Sequence, residues 1–331
     1  MKLNLKKTSY GIAALILLFG RYPVSWLLSS RNRNKPVPEE ENNTQGQYIK
    51  SSTGNVLFVK STGRREAQPL VFIHGINANK QQWQYLEQNF SNDYWLISID
   101  LPGHGSSPDG RDFSIKALAL DLNHILTQLN IQQPVLHGHS LGGMICQEYC
   151  KQNYLPAPKA IILQHCGYTN PLETMPFGPI PSLIQWRLID PTLSYIARHN
   201  KFFTAMGYLA YSSGLSCLFY RLLLFKGNQS SATLRQMARS AANTTAQTAA
   251  RSLMATFRFD MSKDLDKIDM PCLVIAATED RLIAPAAGLY LHQHLNRSEL
   301  AMVKGGHQSL IEYPETTIKA VQNFMIKYGI A

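Results

Sequence analysis

The sequence predicts an α/β protein: a mostly parallel sheet covered by helices, carrying one long helical insertion. Three observations predict it. From Tyr48 onward, short β-branched runs alternate with amphipathic runs, as crossover helices between parallel strands require. Residues 115–129 carry one continuous apolar helical face. The alternation stops after Cys166 and resumes near Pro271.

Each element has its own signal. Strands are expected at Gln47–Lys50, Val56–Ser61, Leu70–His74, Trp95–Ile99, Val135–Gly138, Lys159–Gln164, Cys272–Ala276 and Leu300–Val303. The clearest helix places Ile115, Leu118, Ala119, Leu122, Ile125, Leu126 and Leu129 at offsets 0, 3, 4, 7, 10, 11 and 14, a face that packs on the sheet. The roughly ninety residues between Cys166 and Pro271 have aromatic and helical signals but no strand. Within them Phe202–Tyr220 runs nineteen residues without a charge, bracketed by Lys201 and Arg221. Ser212-Ser213-Gly214 in its middle predicts a break between two short helices in place of a membrane span.

Composition narrows the function. At 331 residues the chain can hold one large domain with an insertion, and 16% charged residues with 45% hydrophobic ones indicate neither disorder nor a polytopic membrane protein. Five cysteines without CxxC spacing read as core residues rather than a disulfide framework. The net charge of +10 divides unevenly: residues 1–35 carry +7, residues 166–259 carry +7, and the remainder carries −4. Neither basic segment has a nucleic-acid-binding signature, so no nucleic acid is expected. Both are also the most apolar parts of the chain, with Trp26, Phe202, Phe203, Phe219 and Phe225, which points to an anionic membrane surface.

At the amino terminus Lys2, Lys6 and Lys7 precede Tyr10–Gly20, eleven uncharged apolar residues interrupted by Arg21. That is short of the ~20 residues a span needs. Continued through Trp26, Leu27 and Leu28, it reads as a tilted or interfacial anchor with Arg21 snorkelling. A cleaved signal peptide, leading to a secreted or periplasmic protein, has the same basic and apolar regions, but no A-x-A site follows. The expected division is therefore an anchor or signal segment at 1–30, a charged linker at 31–46, core at 47–165, a helical cap at 166–260 and core again at 261–331.

The chemistry is carried by loops at strand ends. Pro134-Val135-Leu136-His137 runs into Gly138-His139-Ser140-Leu141-Gly142 and then an amphipathic helix: G-x-S-x-G in the strand–turn–helix setting that aims a serine out of a tight turn. Ser140 is the expected nucleophile, and the Leu141 N–H, at the helix start, faces a developing oxyanion. His74-Gly75 at the end of the third strand bends a loop toward the same turn, so the Ile76 N–H is the second expected donor and His74 an organiser of its loop.

A serine needs a base, and the base an orienting carboxylate. Among ten histidines, His307 follows the last strand behind Gly305-Gly306, free to reach the sheet edge. Glu279-Asp280 follows the seventh strand; only one of two neighbours at such a bend can face the base, and Asp280 is chosen. His137, His139, His292 and His294 lack partners at ligand spacing, so no metal and no cofactor is expected. Sequons at Asn42, Asn228, Asn243 and Asn296 matter only in a glycosylating cell.

Together the His-Gly of 74–75, the D-x-P-G-H-G-x-S of 100–107, the G-H-S-L-G-G of 138–143, the E-D-R of 279–281 and the G-G-H of 305–307 resemble the α/β-hydrolase family over residues 47–331. The resemblance implies an eight-stranded, mostly parallel sheet with only its second strand antiparallel and a cap after the sixth. It also implies Ser140, Asp280 and His307 as a triad, Ile76 and Leu141 as the oxyanion hole, and Asp100, His104 and Gly105 as structural. Serine at the nucleophile position disfavours dehalogenase and epoxide-hydrolase chemistry. The expected activity is hydrolysis of carboxylic esters with apolar acyl groups through an acyl-enzyme, and the basic amino terminus and aromatic cap resemble the membrane-associated monoacylglycerol-lipase and esterase branch. The alternatives are a carbon–carbon bond hydrolase with the same triad and a non-catalytic binding protein.

Overall fold

The computed structural model describes residues 46–175, 180–227 and 229–330. The amino-terminal segment, almost all of the charged linker and the sequons at Asn42 and Asn228 lie outside the described residues. No helix among the described residues is long and apolar enough to cross a membrane.

All eight expected strands are present: β1 Gly46–Lys50, β2 Val56–Gly63, β3 Pro69–Ile73, β4 Trp95–Asp100, β5 Val135–His139, β6 Ala160–Gln164, β7 Cys272–Ala277 and β8 Ser298–Val303. They form one sheet in the order β1-β2-β4-β3-β5-β6-β7-β8. β2 pairs antiparallel with β1 and β4, and every other pairing is parallel. The helices of the core are α1 Gln84–Phe90, α2 Ile115–Gln128 and α3 Leu141–Lys151. The period of two explains why the sheet is buried on both faces. Val71, Ile73, Leu136, Ile161 and Leu163 join the core under α2 and α3, while Leu70, Phe72, Val135 and Ile162 join a second core with Leu86 and Phe90 of α1. Ser114 caps α2 by accepting from the Ala117 N–H.

Between β6 and β7 the chain is helical: α4 Pro171–Thr174, α5 Ile180–Ile184 with a π-helical turn at Gln185–Ile189, α6 Asp190–Arg198, α7 Asn200–Ser212, α8 Leu215–Leu223, α9 Ser231–Asn243 and α10 Ala246–Thr256. The uncharged stretch 202–220 breaks at Ser213-Gly214, where Gly214 takes φ 81°. These helices have a small core of their own, Cys217, Leu224, Phe225, Leu234 and Ala238, which reaches Leu282 and Ile311 of the sheet domain. Phe225, expected at a surface, is in that core, because the chain turns inward after α8. The chain closes with α11 Pro285–His294, α12 Ser309–Glu312 and α13 Pro314–Lys327.

Candidate active site

Ser140 joins β5 to α3 with φ 54° and ψ −116°, a conformation that costs a non-glycine residue about 1–3 kcal/mol. The surroundings hold it there: its N–H donates to the Gln164 carbonyl at 2.9 Å, and its own carbonyl accepts from the Gly143 and Met144 N–H groups. A Cβ at Gly142 would overlap the Ile73 carbonyl, so the turn closes against β3 only with glycine at that position. The Ser140 side chain is half-buried and sits at the carboxyl edge of the sheet.

Two further loops converge on this edge. The loop after β7 brings Asp280 to His307, whose Nδ1–H donates to Oδ2 at 2.7 Å. Both side chains are buried. Asp280 Oδ1 accepts from the Leu282 and Ile283 N–H groups at 2.8 and 3.0 Å, so the carboxylate is held at both oxygens, whereas Glu279 is exposed. With Nδ1 committed to Asp280, the lone pair of His307 lies on Nε2. His307 is tied to the Ser140 turn through His139, whose Nε2–H donates to the His307 carbonyl at 2.9 Å, the two rings lying 4.8 Å apart.

The loop after β3 lies against the same turn: a Cβ on Gly75 would sit 3.1 Å from the Ser140 Cβ. Neither the Ile76 nor the Leu141 N–H has a hydrogen-bond partner among the described residues; Ile76 directly follows Gly75, and Leu141 directly follows Ser140. His74 orders this loop, its Nδ1–H donating to the Gly75 carbonyl and its Nε2 accepting from the Leu101 N–H. Burial lowers its pKa. Asp100, fully buried, accepts from the Lys80 N–H, Lys80 Nζ and the Ser106 N–H, which fixes the loop containing His104 and Gly105. Burial holds His139 and His165 well below the ordinary histidine range, so both are neutral neighbours of His307.

Three contributors gave no sequence signal. His165 bonds to Ser309 Oγ at 2.6 Å two residues beyond His307. Glu312, buried, accepts from the Gly306 N–H at 2.8 Å and from the Lys226 N–H of the inserted helices at 2.6 Å. Tyr220 of α8 lies beside Asn77, which has φ 59°, and burial pushes its phenol up to about 12. A carboxylate on a four-residue helix and a tyrosine in an apolar helix look like any surface or core residue in sequence. A separate cleft of about 440 Å³, lined by Arg111, Lys116, Arg251 and Arg258 among others, includes none of Ser140, Asp280 and His307.

Residues 68–314 match the family described as the alpha/beta hydrolase fold. The chain belongs to that family. Among its relatives, the pimeloyl-[acyl-carrier protein] methyl ester esterase of Neisseria meningitidis is 26% identical over 255 residues, covering 76% of this chain and 91% of the relative. The 3-oxoadipate enol-lactonase 1 of Acinetobacter baylyi is 23% identical over 284 residues, covering 84% and 96%. The solved esterase of Exiguobacterium antarcticum shares the fold with a TM-score of 0.71 at 18% identity, over 85% of this chain and 99% of that one. The sheet of this α/β hydrolase has the eight strands and the single antiparallel member that the resemblance implies.

Proposed function

We propose that this hydrolase is a serine esterase in which Ser140 is the nucleophile, His307 the general base and Asp280 its orienting acid. The observation that carries the reading is the buried Asp280–His307 pair, held at 2.7 Å and tied through His139 to a serine with φ 54°. In this mechanism Ser140 Oγ adds to the ester carbonyl while its proton passes to His307 Nε2. The oxyanion takes the Ile76 and Leu141 N–H groups, and Asp280 stabilises the imidazolium. The alcohol leaves with that proton, and water, deprotonated by His307, releases the acid and regenerates Ser140.

Residues 166–260 serve as a cap over this site. An apolar acyl group and membrane association complete the reading, with residues 1–30 as the anchor and 31–46 as its linker, in the manner of the monoacylglycerol-lipase branch. Support for these comes from the basic, apolar composition of both segments. A fluorophosphonate probe should label wild-type protein and not Ser140→Ala, and a p-nitrophenyl ester series should show higher kcat/KM for medium or long acyl chains than for acetate. Equal labelling of Ser140→Ala would refute the nucleophile, and a flat or falling series would refute the apolar pocket.

A further inference from the structure

The inserted helices wear apolar side chains on the wrong side. α7 exposes Phe202, Met206 and Leu209, at offsets 0, 4 and 7, and α8 exposes Leu215, Phe219 and Leu222, again at 0, 4 and 7. A surface helix with that spacing ordinarily turns such a stripe to the core. Here the stripes face outward, Phe202 at 62% and Phe219 at 56% exposure. The turn before α6 adds Leu183, Trp186 and Leu188, all exposed. Residues 180–222 hold thirteen of the eighteen large hydrophobic residues exposed among the described residues, a concentration that a free monomer surface rarely carries.

Charge identifies the occupant. Within 180–222 the bases are Arg187, Arg198, Lys201 and Arg221, and the one acid, Asp190, is buried against Arg258 at 3.3 Å. The exposed surface of this stretch is therefore apolar and purely cationic. A second copy would bring the same cations against themselves. The amino-terminal segment, with seven bases and no acid in residues 1–35, would do likewise. An anionic bilayer supplies both an apolar interior and the opposite charge.

We propose that the outward faces of α7 and α8, with the turn at 183–188, form a docking surface for an anionic lipid bilayer. The proposal deepens the membrane association suggested above and does not depend on the hydrolytic chemistry. Docking would place the bilayer on the outer face of α8, whose inner residue Tyr220 lies beside Asn77 in the oxyanion loop.

All five native cysteines are buried, so in the full-length Phe219→Cys protein the new thiol takes an environment-sensitive fluorophore alone. Vesicles containing 30% phosphatidylglycerol should shift its emission to the blue, more weakly at high salt, and brominated acyl chains should quench it. Adding Phe202→Glu and Leu183→Glu, both at strongly exposed positions, should weaken that response about tenfold or more, while fluorophosphonate labelling of Ser140 keeps its rate without vesicles. An unshifted probe on protein that co-sediments with vesicles would leave the anchor alone at the membrane and overturn the proposal. So would a probe already shifted without vesicles, by self-association if the shift depends on protein concentration and by the amino-terminal segment if it does not. Loss of fluorophosphonate labelling in the unmodified protein would strike the esterase reading and leave this one standing.

Discussion

Asp280→Asn isolates what the carboxylate does, because the structure dictates how the amide must sit. Asp280 Oδ1 accepts from the Leu282 and Ile283 N–H groups, and Oδ2 accepts from His307 Nδ1. An asparagine keeps its oxygen toward the two backbone donors, since the reversed amide would set its NH2 against both. Its NH2 group then faces His307 Nδ1, two donors meet, and the imidazole must move its proton to Nε2, where it can no longer accept from Ser140. The tautomer is wrong while the packing is unchanged. The expected loss in kcat is roughly 10⁴-fold, about 5.5 kcal/mol of transition-state stabilisation. Steady-state hydrolysis of a p-nitrophenyl ester, together with the fluorophosphonate labelling rate, reads it, and both should fall in parallel with the melting temperature little changed. Glu279→Gln, at an exposed position, should stay within about threefold of wild type. If Asp280→Asn keeps more than a tenth of wild-type kcat, or Glu279→Gln is the crippled variant, the assignment of the acid is wrong.

Three further outcomes follow from the same geometry. Burial pushes His104 and His137 down to about 3, so below pH 6.5 the unfolded chain binds protons that the folded one refuses. Stability then falls as pH drops, by on the order of 1 kcal/mol for each at pH 5.5, and a melting temperature that stays level from pH 7.5 to 5.5 would contradict it. Gly142→Ala should cost about 3 kcal/mol or more in denaturant unfolding, because its Cβ overlaps the Ile73 carbonyl, whereas Gly207→Ala in α7, with nothing within 4 Å, should gain up to about 1 kcal/mol. Glu312→Gln should lower kcat about 10- to 100-fold with KM nearly constant, since it sets an NH2 against one of the two N–H groups, of Gly306 and Lys226, that the side-chain oxygens accept from; unchanged kcat would mean that the His307 loop stands without it.

What was legible in the sequence is what rests on local patterns. Strands declare themselves by β-branched runs, and β5 to α3 by a glycine-flanked serine whose positive φ needs small neighbours. The choice of Asp280 over Glu279 is legible in part, for a bend can aim one neighbour only. Which one faces His307 follows from the Leu282 and Ile283 N–H groups that hold Oδ1, a contact no spacing shows. Spacing alone does not fix which way the inserted helices face, and the composition-based expectation of a surface holds for Phe202 and Phe219 but not for Phe225. The offsets 202, 206, 209 and 215, 219, 222 fit a buried stripe as well as an exposed one, and only tertiary packing decides. Phe225 shows the converse, an aromatic from the same run that packs inward with Cys217 and Leu234.

Hydrogen bonds join the inserted helices to the loops that carry Asp280 and His307. Arg281, next to Asp280, donates from Nη1 to the Leu222 carbonyl at 3.0 Å, and the Gln308 N–H, next to His307, donates to the Leu224 carbonyl at 3.1 Å. Glu312 then joins the Lys226 N–H to the Gly306 N–H. Residues 222–226 thus hold the Asp280 loop and the His307 loop at once, at the end of the helix that carries Phe219 and Leu222 outward. A helix docked as proposed would therefore be hydrogen-bonded, within one turn of its end, to the loops that carry Asp280 and His307.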